Sequence, residues 1–182
     1  MSEASKPPWK RVPWIVWALL VPALLLGGWQ LWTGGGKRIH VVGSGVLTEL
    51  SEDDALEGTF YDLSVVPDES LAKTRERVEE QIAGWPDILV FALDDAVPDD
   101  EAAAAYEALA TAAENATTVP VIVGRPNEPE AFRTDLCAAA AGGAQLRVCV
   151  TPGDDVAGAV AGGVREGRAR LDALRATTQV GR

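Results

Sequence analysis

The 182-residue chain holds a single histidine, His40, one methionine and two cysteines, Cys137 and Cys149. A zinc shell is not completed by two Cys without neighbouring His, so no metal is assigned. Basic side chains are scarce as well: 16 Lys and Arg face 27 Asp and Glu, a formal net charge of −11. Residues 1–38 carry Lys6, Lys10, Arg11, Lys37 and Arg38 against Glu3, net +4, which leaves −15 on residues 39–182. A domain that acidic has no surface for neutralising phosphates, which excludes nucleic acid as a partner. Internal repeats are lacking, and a hydrophobic fraction of 47 % excludes a disordered chain. The length admits one ordinary domain with an appendage.

Charge is also missing locally. The 25 positions from Val12 to Gly36 contain no charged residue. Within them, residues 12–32 (VPWIVWALLVPALLLGGWQLW) make a helix of roughly 31 Å, enough to cross a bilayer's hydrocarbon core. Five of the six Trp lie in or beside this segment, Trp9, Trp14 and Trp17 toward one end and Trp29 and Trp32 toward the other, as indoles settle at both interfaces. Pro22 falls mid-span, where a membrane helix tolerates a kink. A cleaved secretory signal is the alternative, but GGWQLWTGGGKR offers no A-x-A-like site. The three cations of residues 1–11 against Lys37 and Arg38 favour a cytoplasmic tail and an exported, periplasmic domain. The expected organisation is a tail over 1–11, a single-pass inner-membrane helix over 12–32, a Gly-rich stem over 33–37 and a domain over 38–182. The Arg over Lys preference, 12 to 4, and the abundance of Ala and Gly fit a GC-rich bacterial genome.

After the stem, strand and helix patterns alternate. Arg38 to Val42, Thr59 to Val66, Ile88 to Leu93, Val119 to Val123 and Gln145 to Val150 read as five strands, the third and fourth continuously apolar and so covered on both faces. Leu71, Val78, Ile82 and Trp85 share one face of a helix stopped by Pro86. Pro98-Asp-Asp-Glu101 opens an Ala-rich helix with acids at its positive end. Asn127 and Glu130 form a capping-box pattern for a helix to about Ala141, and Asp154-Asp155 begins a last helix to about Ala176, with Gly162 and Gly163 as weak points. Right-handed crossovers then give a three-layer, doubly wound, five-stranded parallel sheet of α/β class.

In such sheets ligands bind at the carboxyl ends of the strands. The expected crevice there is lined by Gly43, Ser44 and Gly45, by Asp68, by Asp94 and Asp95, by Arg125 and Asn127, and by Thr151, Asp154 and Asp155. The turn VVGSGVLT partly fits a dinucleotide fingerprint, but Thr48 stands where a third Gly belongs, and the carboxylates around it repel phosphate. Cys137 and Cys149, twelve apart, are read as a disulfide in an exported domain, with two buried thiols in a reducing compartment as the alternative. Four acids, Asp94, Asp95, Asp154 and Asp155, would suit calcium or magnesium, although adjacent Asp at a strand end more often form a helix N-cap and a solvated neighbour.

IHVVGSGVL at the first strand, FYDLSVVPDESL at the second and PDILVFALDDA at the third resemble the SGNH (GDSL-type) hydrolase family, over Ile39 to Ala96 in motif-like form and beyond it in architecture. The resemblance implies a flavodoxin-like sheet and a serine esterase or acyl hydrolase site. Aligned on Gly43, the family's Asp falls on Ser44 and its nucleophilic Ser on Gly45; Ala92 replaces a Gly, Asp94 an Asn, and Asp95 matches an Asp. The family's late Asp-x-x-His corresponds to Thr151 to Ala157, which contains Asp154 and Asp155 but no His. A serine hydroxyl is a poor nucleophile until a base takes its proton. His40, inside the first strand, is expected to face a helix layer instead of the crevice. The expectation is therefore a membrane-anchored domain that has lost hydrolase catalysis and binds or scaffolds, taking an envelope protein or a small molecule and no cofactor. The alternative is an active esterase with Ser44 as a shifted nucleophile, Asp154 or Asp155 as its base and Asp95 as a further candidate, for which a carboxylate needs its basicity raised by burial.

Overall fold

Five short runs rich in Val, Ile and Leu supply the sheet, and their lack of polar alternates already requires cover on both faces. The computed structural model describes residues 39–51, 61–125, 136–137 and 146–180. Its order is β1 (Ile39–Gly43), a 3₁₀ turn (Gly45–Glu49), β2 (Tyr61–Val65), α1 (Leu71–Ala83), β3 (Ile88–Ala92), α2 (Asp99–Asn115), β4 (Val119–Val123), β5 (Val148–Val150) and α3 (Val156–Val180). The five strands form one sheet in the order β2-β1-β3-β4-β5, and every pairing is parallel. That is the doubly wound order of flavodoxin-type sheets.

Strand alternation sorts the core into two layers. Ile39, Val41, Ile88, Val90, Val119, Val121 and Val148 face Val156, Val160, Val164 and Leu171 of α3 together with Val46 and Leu47 of the 3₁₀ turn. Val42, Leu89, Phe91 and Ile122 face Val78 of α1 and the Ala102, Ala105, Leu109 and Ala113 stripe of α2. Each fully buried Val, Leu, Ile or Phe contributes about 1.5–3 kcal/mol over leaving it exposed, so the two layers outweigh any surface ion pair. Tyr106 of α2 packs its ring against Phe91 with centroids 6.0 Å apart. Its hydroxyl donates to Val123 O and accepts from Leu93 N, both at 3.1 Å, joining the carboxyl ends of β3 and β4.

α3 lies close to the sheet because two of its residues have no side chain. A Cβ on Gly163 would sit 2.4 Å from Val150 Cγ2, and one on Gly167 3.1 Å from Val119 Cγ1. Gly162 meets nothing within 4 Å. The two adjacent glycines that looked alike as helix-weakening positions therefore differ: one is a packing requirement and the other is not.

The spacing that places Trp85 on one helical face with Leu71, Val78 and Ile82 is corrected by the structure, in which the helix stops short of it. α1 ends at Ala83, Gly84 and Trp85 close it through bonds to Gln81 O and Ile82 O, and the Trp85 side chain is 78 % exposed. The turn swings the indole off the apolar stripe before Pro86 is reached. β5 begins at Val148, later than expected, because Leu146 and Arg147 precede the ladder. The predicted helix from Asn127 to Ala141 falls mostly outside the described residues, of which 136–137 are helical.

The chain divides into two compact units, Met1–Gly36 and Lys37–Arg182. The predicted span over 12–32 lies outside the described residues, and among those described no helix is long and apolar enough to cross a membrane.

Candidate functional site at the β1/β3 switch point

β1 sits between β2 and β3, so the chain leaves it in one direction and later returns on the other side; ligands of doubly wound sheets bind at this reversal. There the backbone of β1 passes hard against β3. Gly43 has φ 139° and Gly45 φ 58°, and a Cβ on Gly43 would stand 2.2 Å from Ala92 O. Only glycine accepts both the conformation and the contact. Ser44, between them, is fully buried: its N–H donates to Ala92 O at 3.3 Å and its Oγ donates to Asp94 Oδ2 at 2.8 Å. The other Asp94 oxygen, Oδ1, accepts the amide of Ala96 at 2.9 Å, an Asx-type turn that starts the loop into α2.

A second cluster ties β2 to β1. Arg77 of α1 donates through Nη1 to Ser64 O at 2.7 Å and Ser64 Oγ at 3.0 Å, and through Nη2 to Gly43 O at 3.2 Å. Its Nε and Nη2 also bond to Glu69 Oε2, which accepts the Thr74 hydroxyl at 2.9 Å. A guanidinium fork is suited to bridging two carbonyls and a carboxylate at once. Nothing in the sequence pattern singles out Arg77, which reads as a cation on the polar side of an amphipathic helix.

The cleft above has a volume of about 380 Å³ and opens between the β2–α1 and β3–α2 turns. Its polar walls are Asp68, Glu69, Asp94 and Glu101, with Leu71 and Val97 as apolar patches. Of the expected lining, Asp68 and Asp94 are there; Gly43, Ser44, Gly45, Asp95, Arg125, Thr151, Asp154 and Asp155 do not line it. Glu69, one residue before the cap of α1, belongs to no sequence pattern that marks a site, and Glu101, in the first turn of α2, has an ordinary role at the helix dipole.

Arg125 is a correction. It is buried, donating from Nη1 to Val97 O at 2.6 Å and from Nη2 to Asp99 Oδ1 at 2.5 Å, and so braces the β3–α2 turn instead of offering its charge to a ligand. Asn127 lies outside the described residues. Asp155 is the N-terminal cap of α3, its Oδ1 accepting Gly158 N–H at 2.8 Å, and its neighbour Asp154 is exposed. Two strands, β3 and β4, separate the β1 and β5 ends, about 14 Å at ordinary strand spacing. Among the described residues Asp94 is the partner of Ser44 Oγ, and the catalytic candidates Asp95 and Asp154 are not. Among the described residues no three His, Cys, Asp or Glu converge as a metal site.

His40 turns away from this edge. Its Nδ1 meets Gln81 Oε1 of α1, and its Nε2 lies 3.5 Å from Asp62 Oδ2. Four residues of extended strand, about 13 Å at roughly 3.3 Å per residue, lie between position 40 and Ser44, and an imidazole held by Gln81 and Asp62 does not span them. Cys137 and Cys149 form a disulfide with Cα atoms 6.2 Å apart. Beside it, buried Arg147 bonds Glu114 with Nε at 3.1 Å and Nη2 at 2.9 Å, Glu107 with Nη1 at 2.6 Å, and Leu136 O with Nη1 at 3.1 Å. The Arg147 hydrogen bond holds the Glu107 carboxyl below the usual glutamate range, and Glu114 holds the guanidinium charged.

No protein-family model matches the chain, and no curated protein matches it.

Proposed function

We propose that residues 38–182 are an extracytoplasmic binding or scaffold module of SGNH-like build, held at the inner membrane by a helix over residues 12–32, with residues 1–11 in the cytoplasm. The module holds a small molecule or an envelope protein at the carboxyl edge of its sheet and does not cleave esters. One observation carries the loss of catalysis: the Ser44 hydroxyl is fully buried and donates to Asp94, while the single imidazole of the chain is bonded to Gln81 on the α1 side. A hydroxyl so placed has neither a path to a carbonyl carbon nor an imidazole to receive its proton and return it to a leaving group.

The cleft supports binding by shape and charge. Glu69 is neutralised by Arg77, whereas Asp68, Asp94 and Glu101 leave the walls anionic. Such a wall repels phosphates and carboxylates and accepts neutral or cationic groups. Hydrolysis of short-chain aryl esters by the full-length protein in detergent, compared with Ser44→Ala, tests the reading. Turnover is expected at the level of buffer for both proteins. Turnover by the native chain that the substitution abolishes would establish the active esterase instead.

A further inference from the structure

Trp85 and Val66 are the large apolar side chains left exposed among the described residues, and Trp85 is by far the more open, at 78 % against 43 %. Its backbone has φ 57°, the left-handed region in which a bulky side chain is strained by an amount on the order of 1 kcal/mol or more. Gly84, which would take that conformation at no cost, stands one residue earlier at φ −76°. A strained backbone that presents an indole to solvent is not explained by packing, since the indole packs on little.

Its location suggests what covers it. Trp85 lies three residues before β3, and Ile88 at the start of β3 pairs with Ile39 at the start of β1. The indole is therefore on the amino edge of the sheet, where the chain arrives from the proposed membrane helix. Residues 33–38 reach at most about 20 Å when extended, while a domain of this size has a radius of gyration of about 15 Å. With the proposed anchor, a stem of that length leaves little slack between residue 32 and Ile39 at the start of β1. At the amino edge near Trp85, Asp87 pairs with Arg175, and Glu79 and Glu80 on the last turns of α1 are exposed.

From this placement we propose that Trp85 docks the domain onto the bilayer by inserting its ring into the headgroup–acyl boundary, which turns the acidic cleft away from the membrane. An indole combines a large apolar face with one N–H donor, the combination that settles at that depth. The inference rests on the anchor of the preceding section, and its test separates the two.

The full-length chain carrying Trp9→Phe, Trp14→Phe, Trp17→Phe, Trp29→Phe and Trp32→Phe retains Trp85 as its sole tryptophan. It is reconstituted in phosphatidylcholine vesicles, floated with and without an alkaline carbonate wash, and read by fluorescence with lipid brominated near the headgroup. The expected result is a carbonate-resistant chain whose Trp85 emission moves to shorter wavelength and is quenched by the brominated lipid. A chain that floats after the wash while Trp85 emits as in water overturns the docking and leaves the anchor standing. Blue-shifted emission that brominated lipid does not quench assigns the indole to a protein partner and also overturns it. A chain stripped off by carbonate overturns the anchor and, with it, the docking.

Discussion

Ser44 and Asp94, fifty residues apart in the chain, meet across the β1/β3 boundary with Oγ 2.8 Å from Oδ2. The pair exists because two close-packed glycines bring the β1 turn against the end of β3, so that the first polar side chain after each strand faces the other. Its role is structural on this geometry. Ser44→Ala leaves Asp94 Oδ2 without its donor and is expected to lower unfolding stability by about 1.5–3 kcal/mol, the range for a hydrogen bond to a charged group. Chemical denaturation of the two proteins measures it. An unchanged midpoint would mean that the bond is replaced by water.

The Arg147 cluster predicts a ranked pair of losses. Arg147 is 4 % exposed, Glu114 21 % and Glu107 50 %. Glu114→Gln removes a two-point contact from a buried guanidinium and is expected to cost on the order of 3 kcal/mol. Glu107→Gln, at the more exposed partner, is expected to cost less. Equal thermal shifts for the two variants would contradict this ordering.

Glu107 also sets a pH dependence. Its folded carboxyl lies below the ordinary value of 4.5, first because of the Arg147 hydrogen bond. A depressed acid contributes stability that is complete above the unfolded value and is lost as pH falls toward the folded one. Below about pH 4.5, then, the native protein should lose stability more steeply than Glu107→Gln, with the two curves parallel at neutral pH. Denaturant midpoints measured from pH 7 down to pH 3 give the comparison.

Opposite signs are expected at two adjacent glycines of α3. Gly162→Ala meets nothing within 4 Å and gains about 1 kcal/mol of helix propensity. Gly163→Ala gains the same propensity, but its Cβ would stand 2.4 Å from Val150 Cγ2 and 2.8 Å from Val121 Cγ1. Overpacking of that kind costs about 1–3 kcal/mol and decides the sign. A melting temperature raised by the first substitution and lowered by the second is the expected outcome.

Trp85→Gly is expected to stabilise the isolated fold. It places the permissive residue at φ 57° and gives up little burial, for a gain of about 1 kcal/mol. If the melting temperature in detergent falls instead, the indole packs on the fold more than its exposure indicates.

Reduction should cost about 3 kcal/mol, the loop-entropy value for cysteines twelve residues apart. Thiol labelling of membrane-derived protein should be nil before reduction and reach both Cys137 and Cys149 after it. Free thiols in the native material would place the domain in a reducing compartment.

Much of the architecture is legible in residue order. The apolar runs at Ile88 and Val119 carry their own sign of two-sided burial, and the Gly-Ser-Gly turn announces a sharp exit from β1. Helix signals are local too, as with the acids that open α2. Trp85 keeps the helical spacing of Leu71, Val78 and Ile82 but not their face, because periodicity counts positions and does not register that a left-handed residue leaves the helix.

Composition and spacing alone settled the acidic character of the domain, its single imidazole and its alternation of strand and helix, because these depend on neighbours a few residues away. Which carboxylate meets Ser44, which cation braces a turn and which glycine bears the weight of α3 were decided by tertiary structure. Each depends on strand order and on the approach of backbones far apart in sequence. Asp94 and Asp95 are indistinguishable as letters, and only the pairing of β1 with β3 brings one of them to the buried hydroxyl.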